Sequence, residues 1–284
     1  MSDICQKCGA AVPLTLRECP VCHRESGFPN VKVAGSSKEA AALSIRYNDA
    51  LASAKARNVI AEVHAFESAV ATSSKAVMNR SLGALSNWLN GDSPMFYSFY
   101  HQVNYLGRTP AETDWDQQRG AAEAAINPIY YQELNYAALT LDGRGMDYYG
   151  PYAVTVRSLI IDERASVFEQ NSFYFCKTHH VLAGQAPPPG YRATWGDRGR
   201  LAVAKLQPTI APGCGADGFA GILMEPRHNA SDCDFVEVHI FGPINRLGIE
   251  RIVGPEPTTR ADRQVWKQAV RKAKEYGAVV EVTT

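Results

Sequence analysis

Asp234-Phe-Val-Glu237-Val-His239-Ile-Phe-Gly-Pro243 is a short apolar stretch with one carboxylate and one imidazole at alternating positions. Strand residues two apart point to the same face of a sheet. The pattern therefore puts Phe235, Glu237 and His239 on one face and Val236, Val238 and Ile240 on the other, against a core. A strand that places Glu and His on one face lies either at a surface edge or along the wall of a site.

The surrounding sequence decides the fold class. Residues 136–141, 152–157, 163–175, 221–225 and 249–253 read as short strands, and 278–282 as a closing edge strand. Apolar residues at helical spacing predict a long helix over 38–71, interrupted at 72–74. Further helices are predicted around Leu82, Leu85 and Leu89, over 113–131 and over 260–276. Residues 201–206 fit a helix or a strand, and 210–220 a Gly-rich loop. A helical region followed by many short strands argues for an α+β fold rather than a doubly wound sheet.

The totals bound the function. With 284 residues the chain has length for one large domain or two ordinary ones. Lys plus Arg number 29 and Asp plus Glu number 29, so any binding to nucleic acid or membrane needs a local patch. The first residues lack the basic run and apolar core of a signal peptide, and no apolar run approaches the ~20 residues that span a bilayer. Seven cysteines, four of them in Cys-x-x-Cys pairs, suit a reducing compartment and metal binding. The expected location is the cytoplasm.

Those pairs are Cys5-x-x-Cys8 and Cys19-x-x-Cys22, ten residues apart. Each makes a tight turn that aims two thiolates at one ion, and four thiolates close a tetrahedral structural zinc site with no open position. The motif resembles a short zinc ribbon over 1–28, followed by a linker and helix over 29–74 and a larger domain over 75–284. The ribbon is either a docking module or a metal-stapled cap. Cys176, His179, Cys214 and Cys233 are irregularly spaced and are weighed as a second metal site against buried small side chains.

Tyr-Gly-x-x at 149–152, Arg-x-Ser-x-Phe at 164–168 with Ser172 beyond, and Val-Glu-Val-His-Ile-x-Gly-Pro-Ile leading into Ile-Glu-Arg-Ile at 249–252 come in a telling order. Together they resemble the core of ADP-ribosyltransferase-like toxins, including those that modify nucleic acids. The resemblance spans roughly 75–255 and implies a mixed or antiparallel split β-sheet. It implies Glu237 as the catalytic carboxylate, with His239 in the position two residues on. It implies Ser166 or Ser172 as the second motif, and an Arg or His as the first, for which Arg80 is chosen with Arg157 as substitute. NAD becomes the substrate, with Tyr148 and Tyr149 suited to its ribose and nicotinamide. The implied role is a toxin or phage-defence effector held by an antitoxin.

The chemistry agrees with these residue types. Cleaving the nicotinamide bond develops positive charge on the ribose, which a carboxylate stabilises. An Arg suits a pyrophosphate. The ribbon and the basic residues Arg260, Arg263, Lys267, Arg271, Lys272 and Lys274 favour a nucleic-acid acceptor over a protein one. Two other readings stand beside this one: a non-enzymatic ribbon adaptor for nucleic acid or protein, and a metal-independent nuclease using His239 with Glu237. Gly-x-Gly-x-x-Gly, Walker, Gly-x-Ser-x-Gly and His-Glu-x-x-His sequences are absent, so those site types are unsupported.

Overall fold

A computed structural model describes residues 2–106, 114–182, 184–225 and 234–283, with the side chains of 114–118 left out of account. A two-stranded hairpin, β1 (Ser2–Ile4) and β2 (Ala11–Pro13), opens the chain. Three helices follow: α1 (Pro29–Ala34), α2 (Ser37–Ala56) and α3 (Ile60–Ser73). The single helix expected over 38–71 is broken. Asn58 adopts the left-handed region at φ 57°, and Val59 beside it is fully buried, so the chain turns back to bury a second apolar stripe.

Next come β3 (Lys75–Arg80), α4 (Leu82–Asn90), β4 (Met95–Phe96), α5 (Phe99–Tyr105), α6 (Asp114–Ile126), β5 (Leu134–Thr140) and β6 (Tyr152–Val156). Between β3 and α4 the Ser81 side chain accepts from the Ala84 amide at 3.3 Å, an N-cap that ends the strand and starts the helix. The chain continues through β7 (Ala165–Phe168), α7 (Ser172–Thr178), β8 (Arg192–Thr194), α8 (Arg198–Leu206) and α9 (Ala216–Leu223). It closes with β9 (Glu237–Phe241), β10 (Ile244–Asn245), β11 (Ile249–Pro255), α10 (Arg260–Glu275) and β12 (Val279–Thr283).

Two strand assignments change. The strand expected over 163–175 stops at Phe168, because Asn171 caps α7 by accepting from the Phe173 amide at 3.0 Å. Of the strand expected over 221–225, residues 221–223 are the end of α9, whose Phe219 and Leu223, one helical turn apart, are both buried, and Met224 makes only an isolated bridge to Phe235. Residues 201–206 resolve as helix.

The chain is α+β around one mixed sheet of eight strands, in the order β12-β11-β6-β3-β5-β9-β7-β8. Only β11 and β12 run parallel, with α10 as their crossover; the other pairs are antiparallel. β3 bonds β5 only through Lys75, Ala76 and Val77; beyond them Met78–Arg80 pair with β6 alone and Leu134–Ala137 with β9 alone, so the sheet parts between β3 and β5. β12 closes one edge as expected. Leu43, Val63, Leu85, Leu201, Phe219 and Trp266, one from each of α2, α3, α4, α8, α9 and α10, join one apolar cluster with Met78, Val154 and Val238 of the sheet. Alternation then sends Val77, Phe168, Glu237 and His239 to the opposite face, where α6 and α7 pack through Ile126 and Phe175. Among the described residues no helix is long and apolar enough to cross a membrane.

Candidate active site

Glu237 begins β9 and is 4% exposed. An ionised carboxylate in that setting needs donors, and the local sequence supplies them. Its Oε2 accepts from the Ser172 hydroxyl at 2.8 Å, the Ser172 amide at 3.3 Å and His239 Nε2 at 2.9 Å. Its Oε1 faces Asn171 Nδ2 at 3.5 Å. The alternation read from the sequence holds: Val236, Val238 and Ile240 lie in the main core.

His239 sits behind this carboxylate, between the rings of Tyr136 and Phe168. Its Nδ1 lies 3.2 Å from Asn127 Nδ2, and Asn127 Oδ1 accepts from the Tyr130 hydroxyl at 3.3 Å. An amide oxygen only accepts and an amide nitrogen only donates, so Tyr130 gives to Asn127, Asn127 to His239 Nδ1, and His239 Nε2–H to Glu237. Both imidazole nitrogens are thereby used, and His239 orients Glu237 rather than facing open space.

A cleft of about 980 Å³ opens over Glu237. Arg80, Tyr148, Tyr149, Asn171, Ser172 and Glu237 all line it. The guanidinium of Arg80 stacks over Phe96 at 4.6 Å, and Arg80 stands at the end of β3 rather than on a helix. The turn carrying Tyr148 and Tyr149 is pressed against that end. Gly150 sits at φ 140°, and a Cβ there would lie 2.2 Å from the Arg80 carbonyl carbon, so only glycine lets the two segments meet. The Gly150 carbonyl accepts from Asn79 Nδ2 at 3.0 Å.

Two of the expected residues lie elsewhere. Ser166 pairs with His239 across β7 and β9, is buried, and its hydroxyl accepts from Asn30 Nδ2 at 3.2 Å, outside the lining of the cleft. Arg157 donates to the carbonyls of Gly277 and Leu247, outside the lining of the cleft.

The sequence did not single out a second charged group on the cleft wall. Arg119 and Glu123, one turn apart on α6, form an ion pair, and the Tyr100 hydroxyl donates to Glu123 Oε2 at 2.8 Å. The Arg119 guanidinium also lies 5.3 Å from the centre of the Tyr136 ring and 5.4 Å from that of Phe99. Burial pushes the Glu123 carboxyl up, and the charge of Glu237 adds to this, while Arg119 opposes it. Burial likewise drives the Tyr136 phenol well above its ordinary value, with both carboxylates adding to the shift.

At the N-terminus four cysteines are positioned to bind a metal ion, consistent with structural zinc. The Sγ atoms of Cys5, Cys8, Cys19 and Cys22 lie within 4.8 Å of one another, with Cys5–Cys22 and Cys8–Cys19 at 3.6 Å. A tetrahedron with Zn–S bonds of about 2.3 Å has edges near ~3.8 Å, so the set fits. Cys176, His179 and Cys214 join no comparable cluster among the described residues, and Cys233 lies outside them.

The sequence matches no protein-family model and no curated protein. Function is therefore argued from the site itself. A carboxylate offers about four acceptor positions, two per oxygen. Oε2 of Glu237 already takes three donors, whereas Oε1 has the long contact to Asn171. Oε1 is thus the oxygen with capacity for a substrate hydroxyl or a developing positive charge.

Proposed function

We propose that this protein cleaves NAD at the nicotinamide–ribose bond and transfers ADP-ribose to a macromolecular acceptor, nucleic acid in preference to protein. One observation carries the reading: the buried carboxylate of Glu237, held by Ser172, Asn171 and His239, beneath a cleft of about 980 Å³ that also presents Arg80, Tyr148 and Tyr149. That volume is at the upper end of the range for small-molecule sites and suits a dinucleotide.

In the reaction the C1′–N bond breaks and nicotinamide leaves with the electron pair. Its pyridinium charge passes to the ribose as an oxocarbenium ion. A lone pair of the acceptor forms the new bond to C1′, and the acceptor gives up a proton. Glu237 Oε1 binds a ribose hydroxyl and stabilises the cation. Arg80 pairs with the pyrophosphate, and Tyr148 and Tyr149 flank the rings. The zinc ribbon and the basic side of α10 hold the nucleic acid. An activity of this kind suits a toxin or phage-defence effector kept in check by an antitoxin.

The test is incubation with labelled NAD and total RNA, sheared DNA or cell lysate. Label should enter a nucleic-acid fraction, and Glu237→Gln should lower transfer at least ~10²-fold, the scale of losing one electrostatic stabiliser. A wild-type protein that neither releases nicotinamide nor labels any fraction refutes the proposal. Nucleic-acid binding that survives Glu237→Ala but weakens in Cys5→Ser, with no NAD turnover, identifies an adaptor instead.

A further inference from the structure

We propose that Glu123 is a second catalytic carboxylate, the base that takes the proton of the acceptor, leaving Glu237 to stabilise the ribose cation. The inference rests on the ADP-ribosyl transfer proposed above and divides its two chemical tasks between two elements, α6 and β9. Both carboxylates line the same cleft.

Their surroundings differ in kind. Glu237 is surrounded by neutral donors, and three of them converge on Oε2. Glu123 has one donor on each oxygen, Arg119 on Oε1 and the Tyr100 hydroxyl on Oε2. Each oxygen therefore keeps a position for an incoming proton. It is 3% exposed, and its charge lies near that of Glu237, which favours proton uptake. Two carboxylates held by different donor sets in one cleft are suited to separate roles.

A second observation points to a ligand between them. The Tyr136 hydroxyl is buried and finds no hydrogen-bond partner among the described residues. Tyr136 lines the cleft, and its phenol is influenced by both Glu123 and Glu237. A buried hydroxyl left unpaired costs about 1–3 kcal/mol, and a polar group of the substrate entering the cleft satisfies it. The step balances: the acceptor X–H forms X–C1′, nicotinamide leaves with the C1′–N electron pair, and the X–H proton moves to Glu123, then to solvent.

The experiment compares two rates in the full-length, zinc-loaded protein. One is nicotinamide release from NAD in water; the other is label transfer from NAD to total RNA or sheared DNA. Glu123→Gln should lower transfer ~10²–10⁴-fold, the range of general base catalysis, and lower nicotinamide release by a distinctly smaller factor. Tyr100→Phe, which removes one anchor of Glu123 without removing the carboxylate, should lower transfer ~3- to 10-fold and affect release less. Added formate should restore part of the transfer in Glu123→Ala. Equal loss of both rates in a folded Glu123→Gln protein overturns the assignment, as does unchanged transfer. If Glu123→Gln does not fold, Tyr100→Phe decides: a transfer rate unchanged, or falling in step with release, overturns it. A wild-type protein that releases no nicotinamide refutes the parent reading instead, so the two failures are distinct.

Discussion

Replacing Ser172 by Ala removes the 2.8 Å hydroxyl donor from the buried Glu237 carboxylate and leaves the Ser172 amide at 3.3 Å in place. A hydrogen bond to a charged group contributes about 1.5–3 kcal/mol, and the hydroxyl sits in a residue 2% exposed, so water cannot replace it cheaply. We expect a loss of about 2 kcal/mol. For a chain of this size each kcal/mol moves the midpoint by about 2–4 °C, so Tm should fall by about 4–8 °C. Asn127→Ala strips the partner from His239 Nδ1 and from the Tyr130 hydroxyl, with an expected cost of about 1–3 kcal/mol. Because His239 links both changes to Oε2 of Glu237, the double mutant should depart from additivity by about 0.5–3 kcal/mol. The assay is urea unfolding followed by far-ultraviolet circular dichroism, with zinc saturating. A Ser172→Ala protein within about 0.5 kcal/mol of wild type refutes the anchoring of Glu237. Additive mutants within about 0.5 kcal/mol refute the relay.

Chelation of the N-terminal metal should unfold the hairpin and turns over residues 2–25, exposing four titratable thiols, while the circular dichroism of the sheet persists; thiol counting with chelator titration checks this. Glu123 gives a pH signature. Its folded-state proton affinity is raised, by burial and then by the charge of Glu237, so its stabilising contribution is complete below the unfolded value of about 4.3 and is lost as pH rises through the folded value. Arg119 on its own helix, Tyr100 on α5, Tyr136 on β5 and Glu237 on β9 are the charged or titratable groups that interact with it. Glu123→Gln should therefore gain stability relative to wild type as pH rises from about 4 to about 7. Parallel profiles for the two proteins count against the burial of an ionisable carboxyl there.

Much of the cleft floor was legible because a strand has a period of two. Glu237 and His239 follow from that alternation, and the cores on either side of β9 agree with it. The ribbon was legible because Cys-x-x-Cys spacing has few other uses. Arg119 and Glu123 were not, since an Arg and a Glu four residues apart on a helix look like any solvated surface pair. Only the packing of α6 against α7, with Tyr100 of α5 on its carboxylate, buries Glu123 and brings Arg119 to the Tyr136 ring. Asn127 and Tyr130 carry no motif, and their role exists only through bond direction in three dimensions. The strand expected over 221–225 failed because Gly-rich composition hid a short helix whose apolar residues meet the core. Ser166 was drawn to the site by its place in a motif; it shares the face of Glu237, but its register sets it opposite His239, buried against Asn30 and outside the cleft lining.

Helix α1 gives the molecule a fixed angle of presentation. Over six residues it sends Asn30 inward to the backbone carbonyls of His239 and Arg164 at 2.9 and 3.0 Å, and Lys32 outward to the Leu16 carbonyl at 2.6 Å. Phe28, just before it, rests on Phe241 at the end of β9. The four-cysteine head and β9 are thus fastened to opposite sides of one short rod, so the head stands at a ruled distance from the cleft. On the function proposed above, a nucleic acid held at the head meets the cleft at a set distance along its length, and the position modified is measured from the point of grip.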